Sequence, residues 1–392
     1  MVFDQTVKCG GRNNDGQCGQ DSSDRNLFSP TKVDLTETES VPIKVVTGRH
    51  HSCILFADGT VSCMGWLFTN SEWSGNKFSS VQVQTAEGTA PLTGISDIEA
   101  GYDHTCAVGV DKTMYCWGEG SDGQLFPDSN TDSEYAVMSV KKVVKMALGH
   151  YHTCVVLLEN GKTQCFGRSD FLGGLSESKD IGTILDITAG AFHTCVLLEE
   201  EVTKVQCFGY QGSGRLGNGL ISDVIVQQPG DMLILADNGT ESALTDIKKV
   251  MAGGRSTCVL LLSGKVKCTG YNSYYQLGVA GGSSDRKYPE DVVVDETILD
   301  GRTVVSVHIT VFNGYVVLDD NTVYSWGSNI DGGLGDGRTD NGLIVKDAGA
   351  GDNKAVALLL LSDNVQDGRR QNEKLMKKGN KRKRRSEETP RK

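Results

Sequence analysis

Short apolar runs separated by compact polar turns follow one another along most of the chain. Residues 52–56 and 60–63 are two such runs, and Ala57-Asp58-Gly59 lies between them. Asp-Gly between two runs of this length is a strong signal for a tight hairpin turn. A further apolar run, Ile43 to Val46, precedes the pair. No apolar period of 3.6 residues persists for ten residues in these units, so the pattern predicts short antiparallel strands rather than helices.

The strand pattern is part of a phrase that recurs along the chain. The phrase reads Gly-x-x-His-(Ser/Thr)-Cys, an apolar run, a polar turn, and then Cys-(aromatic)-Gly. Five copies begin at Gly48, Gly101, Gly149, Gly190 and Gly253, the last with Ser in place of His. A degenerate sixth copy spans 315–327, and a seventh half-copy spans 351–359. Such recurrence indicates a repeat architecture in which each copy is one structural unit.

The half that the seventh copy lacks is found at the N-terminal end. Residues 7–19, which begin Val7-Lys8-Cys9-Gly10, match the end of a repeat. The two ends therefore make one unit together, as a closed ring requires, whereas an open solenoid carries distinct caps. A mean spacing of about 50 residues with four short strands fits one propeller blade. The sequence predicts an all-β, seven-bladed β-propeller over residues 5–365, closed by the N-terminal strand joining the C-terminal blade.

A turn that ends in Gly-Gln-Leu-Gly or a variant of it follows most of the hairpins. It is found within residues 121–125, 214–217, 275–278 and 332–335, and residues 66–78 lack it. Together with Gly-x-x-His-Thr-Cys, this turn resembles the repeat of the regulator of chromosome condensation family. The resemblance covers roughly residues 5–365 and implies a seven-bladed propeller, the same architecture that the residue pattern indicates.

The resemblance also carries functional implications. One activity in the family is guanine-nucleotide exchange on a small GTPase, in which loop-borne acidic and histidine residues displace the nucleotide. No residue of this sequence can be matched to those positions one by one. The family also includes a plant ultraviolet-B photoreceptor that needs clustered tryptophans, and the four tryptophans of this chain disfavour that role.

The twelve cysteines are concentrated at two positions of the repeat. The candidate disulfide pairs are Cys53 with Cys63, Cys106 with Cys116, Cys154 with Cys165, Cys195 with Cys207, and Cys258 with Cys268. The sixth copy has Tyr315 and Ser325 at these positions instead. Because the two cysteines occur together in five copies and are both missing from the sixth, we expect the two positions to be in contact. Opposed residues of a hairpin lie within reach of a disulfide, but free thiols could also pack as small apolar side chains. Cys9 would face Val356, which leaves it Cys18 or no partner.

Motifs that suggest catalysis or metal binding have simpler explanations. The recurrent histidines are His51, His104, His152 and His193. One active site needs one constellation rather than four copies, so a structural hydrogen-bonding role is expected. There is no Cys-x-x-Cys pair of the kind that binds zinc. The glycine pattern at 212–217 resembles a dinucleotide-binding motif, but it aligns with the turn that ends in Gly-Gln-Leu-Gly at the end of each repeat, which we call the blade-end turn. We expect no catalytic residues, no cofactor and no metal.

Charge divides the chain into two parts. Residues 369–392 hold 12 Lys+Arg and 3 Glu, a net of +9, so residues 1–368 carry 27 basic and 47 acidic residues, a net of −20. The basic residues at the centre of the tail are Lys377, Lys378, Lys381, Arg382, Lys383, Arg384 and Arg385. Residues 366–392 are expected to be disordered and to contact an import receptor, nucleic acid or an acidic surface. A purely solubilising tail is the alternative.

The expected function is that of a monomeric, non-enzymatic propeller that binds a protein partner through loops of one face. The long insertions 67–94, 218–245 and 279–300 are the candidate loops. Exchange on a small GTPase is the alternative, by resemblance alone. The longest apolar run, 355–361, is far shorter than the about 20 residues of a spanning helix. Cysteine pairs favour an oxidising compartment, whereas the basic tail and the absence of a visible signal peptide favour nucleus or cytoplasm.

Overall fold

A computed structural model describes residues 7–19, 26–35, 40–66, 79–85, 88–126, 130–158, 161–177, 179–293 and 299–334. Within these ranges the chain is folded almost wholly as strands, arranged as a seven-bladed β-propeller. The predicted fold class is therefore confirmed. The seventh half-copy and residues 366–392 lie outside the described residues, so ring closure and the state of the tail stay predictions.

Each blade is an antiparallel sheet whose strands follow one another in the chain. The first sheet is a hairpin of β1 (Lys8–Arg12) and β2 (Asn26–Lys32), which supplies the described part of the seventh blade. Blade 1 contains β3 (Pro42–Thr47), β4 (His51–Phe56), β5 (Val61–Gly65) and β6 (Ser79–Ser80). An added hairpin, β7 (Gln82–Thr85) and β8 (Gly88–Pro91), joins the edge of blade 2. Blade 2 contains β9 (Ile95–Ala100), β10 (His104–Gly109), β11 (Met114–Gly118) and β12 (Ser133–Met138).

The remaining four blades follow the same order. Blade 3 contains β13 (Val143–Leu148), β14 (His152–Leu157) and β15 (Thr163–Gly167). Blade 4 contains β16 (Thr183–Ala189), β17 (His193–Glu199), β18 (Lys204–Tyr210) and β19 (Ile225–Asp231), followed by a hairpin of β20 (Leu233–Leu235) and β21 (Glu241–Ala243). Blade 5 contains β22 (Ile247–Gly253), β23 (Ser256–Leu261), β24 (Val266–Gly270) and β25 (Arg286–Asp291). Blade 6 contains β26 (Val304–Ile309), β27 (Asn313–Leu318) and β28 (Val323–Gly327), and two 3-10 turns cover Ser169–Phe171 and Gly212–Gly214.

The hydrophobic core lies between neighbouring blades. The aromatic residue of Cys-(aromatic)-Gly packs into the preceding blade, as Phe208 of blade 4 does in a cluster with Val156 and Leu175. Phe208 has no exposed surface, and Trp117 keeps only 3% of its surface exposed at the equivalent position of blade 2. Because one blade cannot bury its own faces, each repeat depends on its neighbours for stability.

The inner strands carry an alternating series of charges at one register position. The residues at that position are Lys44, Asp97, Lys145, Asp186, Lys249 and Ser306. Lys44 Nζ lies 2.9 Å from Asp97 Oδ1 and 2.5 Å from Glu99 Oε1, which links blades 1 and 2. The three lysines at this position lie among the carboxylates of Asp97, Glu99 and Asp186, so opposite charges alternate from blade to blade there.

Candidate functional site

The Gly-x-x-His turn places two residues of each blade at the junction with the next one. A Cβ at Gly149 would lie 2.1 Å from the His152 ring, so only glycine leaves room for the imidazole. Backbone bonds then join consecutive turns. Arg49 N donates to Tyr102 O over 2.8 Å, and Ala191 N donates to Gly254 O over 2.7 Å. The residues between Gly and His are therefore held in fixed positions around the propeller.

The histidine of each phrase bonds the threonine of the next blade. Nε2–Oγ1 distances are 2.7 Å for His51–Thr105, 2.9 Å for His104–Thr153, 2.8 Å for His152–Thr194 and 2.8 Å for His193–Thr257. Thr257 Oγ1 donates its proton to Arg215 O over 2.8 Å, so it must accept from Nε2–H of His193. The His193 ring is then neutral, and burial holds its pKa well below the ordinary value.

At the interface between blades 5 and 6, different residues form the hydrogen bond between the blade-end turn and the next blade. Gly314 stands where blades 2–5 have threonine, and Ser256 replaces the histidine. The Trp326 indole fills the space beside Gly314, and its Nε1 donates to Gln276 O over 2.8 Å. A carbonyl of the blade-end turn therefore accepts a hydrogen bond from a side chain of the next blade here too, as Arg215 O does from Thr257.

Replacing Thr257 by valine should lower the free energy of unfolding by about 2–4 kcal/mol. The substitution preserves shape but leaves His193 Nε2–H and Arg215 O buried without partners, at about 1–3 kcal/mol each. Urea titration of both proteins measures the difference. Thr163→Val is the matched control, because Thr163 is buried and its Oγ1 has no partner, so its loss should change stability by less than about 1 kcal/mol. Equal losses in the two variants would contradict the assigned role of the hydroxyl.

One end of the propeller gathers three side chains from each of these blades. They are the two residues between Gly and His and the residue after Cys-(aromatic)-Gly, whose N–H bonds the turn, as Tyr210 N does to Phe192 O over 2.8 Å. We call this surface the loop face. It consists of Arg49, His50, Trp66, Tyr102, Asp103, Glu119, His150, Tyr151, Arg168, Ala191, Phe192, Tyr210, Gly254, Arg255, Tyr271, Val311, Phe312 and Ser328.

Aromatic and cationic groups dominate the loop face. The rings of Tyr102 and His150 stack with centroids 3.9 Å apart, and His150 meets Phe192 edge-on at 5.3 Å. Arg49 lies 4.9 Å from the Tyr102 centroid, and Arg255 lies 5.5 Å from that of Tyr271. These distances allow cation–π attraction, which holds the arginines in place without carboxylate partners.

The electrostatics of the face differ from those of the acidic body. Arg49 and Arg255 form no ion pair with any described residue, and neither does the buried Arg215 beside them. Burial and then the charges of Arg49, Arg255 and Arg215 lower the pKa of His150 to about 4. The three guanidinium groups therefore place positive charge near one neutral imidazole. Burial raises the pKa of Asp103 on the same face, and the charges of His50 and Arg49 act against that shift.

Comparison with known proteins identifies the repeat. Models of the regulator of chromosome condensation (RCC1) repeat match residues 9–55, 95–124 and 247–276. These segments contain the Gly-x-x-His turns, the hairpins and the blade-end turns just described. The chain therefore contains RCC1 repeats.

Related RCC1-repeat proteins differ widely in size. The chain is 25% identical over 348 residues to the ultraviolet-B receptor UVR8 of Arabidopsis thaliana, covering 84% of this chain and 74% of that protein. It is 25% identical over 357 residues to the human E3 ubiquitin-protein ligase HERC2, covering 85% of this chain but only 7% of HERC2. The solved structure of Prp20p from Saccharomyces cerevisiae matches with a TM-score of 0.71 at 16% identity, covering 96% of each chain. That similarity concerns the fold.

The structure brings together the two cysteines of each RCC1 repeat that has them. In five hairpins they are directly opposed, with Cα atoms 4.0–4.1 Å apart and sulfur atoms at bonding distance. The opposed pairs are Cys53 with Cys63, Cys106 with Cys116, Cys154 with Cys165, Cys195 with Cys207, and Cys258 with Cys268. These are the pairs that the sequence predicts, so the predicted proximity is found in every case. Whether the pairs are oxidised in the native protein stays a prediction.

The remaining two cysteines and the basic tail complete the predicted site residues. Cys9 and Cys18 lie at bonding distance, with a Cα separation of 5.4 Å, so Cys9 has the partner that the sequence left open. All twelve cysteines are within the described ranges, and none is left without a partner. The predicted tail residues lie outside those ranges: Lys377, Lys378, Lys381, Arg382, Lys383, Arg384 and Arg385.

The three predicted partner-binding insertions contain strands. Residues 218–245 include β19 and the β20–β21 hairpin, and residues 279–300 include β25. The third, 67–94, includes β7 and β8 at the edge of blade 2. β19 and β25 are the fourth strands of blades 4 and 5, whereas β7–β8 and β20–β21 are added hairpins. The role of these insertions in partner binding stays a prediction. The loop-face residues were missed because they occupy the variable positions of the constant phrase, and their repeated aromatic or arginine character was the available signal.

Two further features bear on function classes. No helix among the described residues is long and apolar enough to cross a membrane. In the same ranges, no group of three or more His, Cys, Asp or Glu side chains could hold a metal ion.

Proposed function

We propose that the protein is a non-enzymatic interaction propeller that binds a protein partner through the loop face. The observation that carries the proposal is the concentration of aromatic and arginine side chains at one end of an acidic molecule. Trp66 and Phe312 keep 36% and 43% of their surface exposed there. The RCC1-repeat relatives, which include a receptor and a ligase, support a recognition role for this fold.

The chemistry of the face suits protein recognition. Trp, Tyr and Arg are enriched among the residues that dominate binding energy at interfaces, because they give large contact areas and directional hydrogen bonds. On the loop face these side chains are fixed by the repeat turns and by stacking, so little side-chain entropy is lost on binding. A preorganised face of this kind needs no bound cofactor to recognise a partner.

Variants at the two ends of the propeller test the proposal. Val110 and Leu262 are 66% and 64% exposed and follow β10 and β23 at the end opposite to the loop face. Proteins captured by the intact chain from its native source should be lost with Trp66→Asp/Phe312→Asp, with affinities at least tenfold weaker, and retained with Val110→Asp/Leu262→Asp. Retention by the first variant, or loss with the second, would place the interaction elsewhere.

Guanine-nucleotide exchange on a small GTPase is the alternative form of this binding function. Its support is the fold shared with Prp20p, which was described with binding properties toward Gsp1p and histones. Release of labelled nucleotide from a panel of small GTPases tests it. Acceleration that is lost in the Trp66→Asp/Phe312→Asp variant would make exchange the function, and unchanged release across the panel would leave simple partner binding.

The basic tail remains a proposal of its own. Its charge of +9 over residues 369–392 suits an import receptor, nucleic acid or an acidic surface. It is opposite in sign to the body, so the tail and the propeller are proposed to serve different contacts.

A further inference from the structure

Arg49 and Arg255 of the loop face, and the buried Arg215 beneath it, form no ion pair with any described residue. The carboxylate that interacts with Arg49 on this face is that of Asp103. Other described arginines are paired, as Arg286 is with Glu290 at 2.7 Å and Arg302 with Asp320 at 2.9 Å. Arg49, Arg215 and Arg255 come from blades 1, 4 and 5. Arg49 lies over the Tyr102 ring that stacks on His150, and Arg215 lies 5.9 Å from the ring centroid of Phe192, which meets His150 edge-on. Convergence of unpaired cations from separate blades indicates a site for an external anion.

Arg215 shows that the charge is not required by the fold. The equivalent residues of other blade-end turns are Gln17, Gln124 and Gln276. In those turns the glutamine carbonyl caps the backbone two residues earlier, as Gln276 Oε1 does by accepting from Tyr274 N over 3.1 Å. A neutral side chain therefore serves this position elsewhere, whereas blade 4 has an arginine that is only 2% exposed.

The Arg215 guanidinium is incompletely satisfied within the protein. Its Nε donates to Gly212 O over 2.7 Å, and one terminal nitrogen is buried without any partner. Burial and then the charge of Arg255 lower the pKa of Arg215 to about 10, against the opposing influence of Tyr210 and Asp285. Asp285 accepts from Asn272 N and forms no ion pair with Arg215. A buried charge without a counter-ion is costly, and an incoming carboxylate would relieve that cost.

Exposed apolar side chains lie in the loop that follows Arg215. Leu220, Ile221 and Val224 are 58%, 50% and 54% exposed in the loop that follows the Arg215 turn. The loop is fixed beside Tyr210, because Gln211 N donates to Val224 O over 2.9 Å and the Tyr210 hydroxyl bonds Asp223. Exposed apolar side chains next to unpaired cations fit a ligand that offers both carboxylates and aliphatic groups.

We propose that Arg49, Arg215 and Arg255 bind the carboxylates of an acidic segment of the protein partner, with Leu220 and Ile221 contacting apolar residues of that segment. This inference rests on the proposed function and specifies its partner chemistry. The exposed Arg49 and Arg255 make the first contacts. The buried Arg215 attracts the carboxylates electrostatically, and its unpartnered terminal nitrogen gains a hydrogen-bond acceptor when the segment is bound.

Binding of a fluorescein-labelled peptide of alternating glutamate and leucine to the full chain tests the site by fluorescence anisotropy. Arg49→Gln/Arg255→Gln should weaken binding at least tenfold, and Arg215→Gln, which introduces the residue of the other turns, should weaken it severalfold. Arg302→Gln is the matched control and should bind as wild type does. A peptide of alternating glutamine and leucine should bind at least tenfold more weakly to the wild-type chain.

The basic tail is a competing acceptor for the peptide, so its contribution is separated. A variant with glutamine at the seven tail positions from Lys377 to Arg385 should keep the tenfold difference that Arg49→Gln/Arg255→Gln produces. Loop-face variants that bind like wild type, or a tail variant that abolishes binding, would overturn the proposal. If partner capture depends on Trp66 and Phe312 but not on the arginines, the proposed function stands and this inference fails.

Discussion

Lowering the pH from 7 to 5 should remove about 8 kcal/mol from the free energy of unfolding through the four histidines that join the blades. His150 and His308, whose pKa values burial also lowers, add to that loss. The four histidines that join the blades are buried and neutral, and burial lowers the pKa of His51 to about 4 and of His104 and His152 to about 3. The pKa of His193 is lowered well below its ordinary value by the same cause. In the unfolded chain each titrates near pH 6.5.

The sign of the effect follows from proton uptake on unfolding. Below about pH 6.5 the unfolded chain binds protons that the folded chain does not, so stability falls as pH falls. Each histidine loses about 2 kcal/mol between pH 7 and pH 5, and a typical domain has only about 5–15 kcal/mol in total. Burial raises the pKa of Glu99 and of Asp186, which opposes part of the loss.

Urea titrations at several pH values measure the dependence. At pH 5.5 each of these histidines should contribute a slope of about 1.2 kcal/mol per pH unit, and between pH 7.5 and pH 8.5 their contribution should vanish. His104→Gln lowers overall stability but should also reduce the slope at pH 5.5 by one proton. A slope at pH 5.5 that corresponds to one proton or fewer would show that the histidines are not held neutral.

The architecture was predictable because packing constrains the repeated positions. Glycine is required where a Cβ would meet the His152 ring, and the aromatic residue before Gly209 is required to fill the gap to the preceding blade. The direct opposition of Cys53 and Cys63 followed from their joint occurrence in hairpins. Each of these constraints recurs around the propeller, so a single sequence shows it several times.

The loop face was not predictable in the same way. Its residues, such as Tyr102 and Arg255, differ from blade to blade because their side chains face the surface rather than the core. Sequence periodicity reveals the positions of the repeat that keep the same residue in every blade, whereas binding sites on a repeat protein are formed by the positions that differ between blades. The convergence of Arg49, Arg215 and Arg255 requires the ring, because these residues are far apart in the sequence and come from three blades.

Reduction of the cysteine pairs should destabilise the propeller still more than acid does. The structure places the ten repeat cysteines as opposed pairs in five hairpins, and we propose that all five are disulfides in the protein from its native source. Bridging a loop of this length stabilises by about 2–3 kcal/mol in the chain-entropy model, so five bridges amount to more than about 10 kcal/mol. The sixth hairpin has Tyr315 and Ser325 opposed instead, which shows that the hairpin itself does not need the bond.

Two measurements decide the redox state and its energetic effect. Alkylation of protein from its native source, followed by mass spectrometry, should modify no cysteine before reduction and all twelve after it. The midpoint of urea unfolding should fall sharply in dithiothreitol, and Cys106→Val combined with Cys116→Val should account for about one fifth of the fall that the five hairpin bridges produce. Because valine preserves the apolar packing, this double variant isolates the covalent bond. Twelve thiols alkylated without reduction would show that the pairs pack as free cysteines, and the predicted sensitivity to dithiothreitol would then be absent.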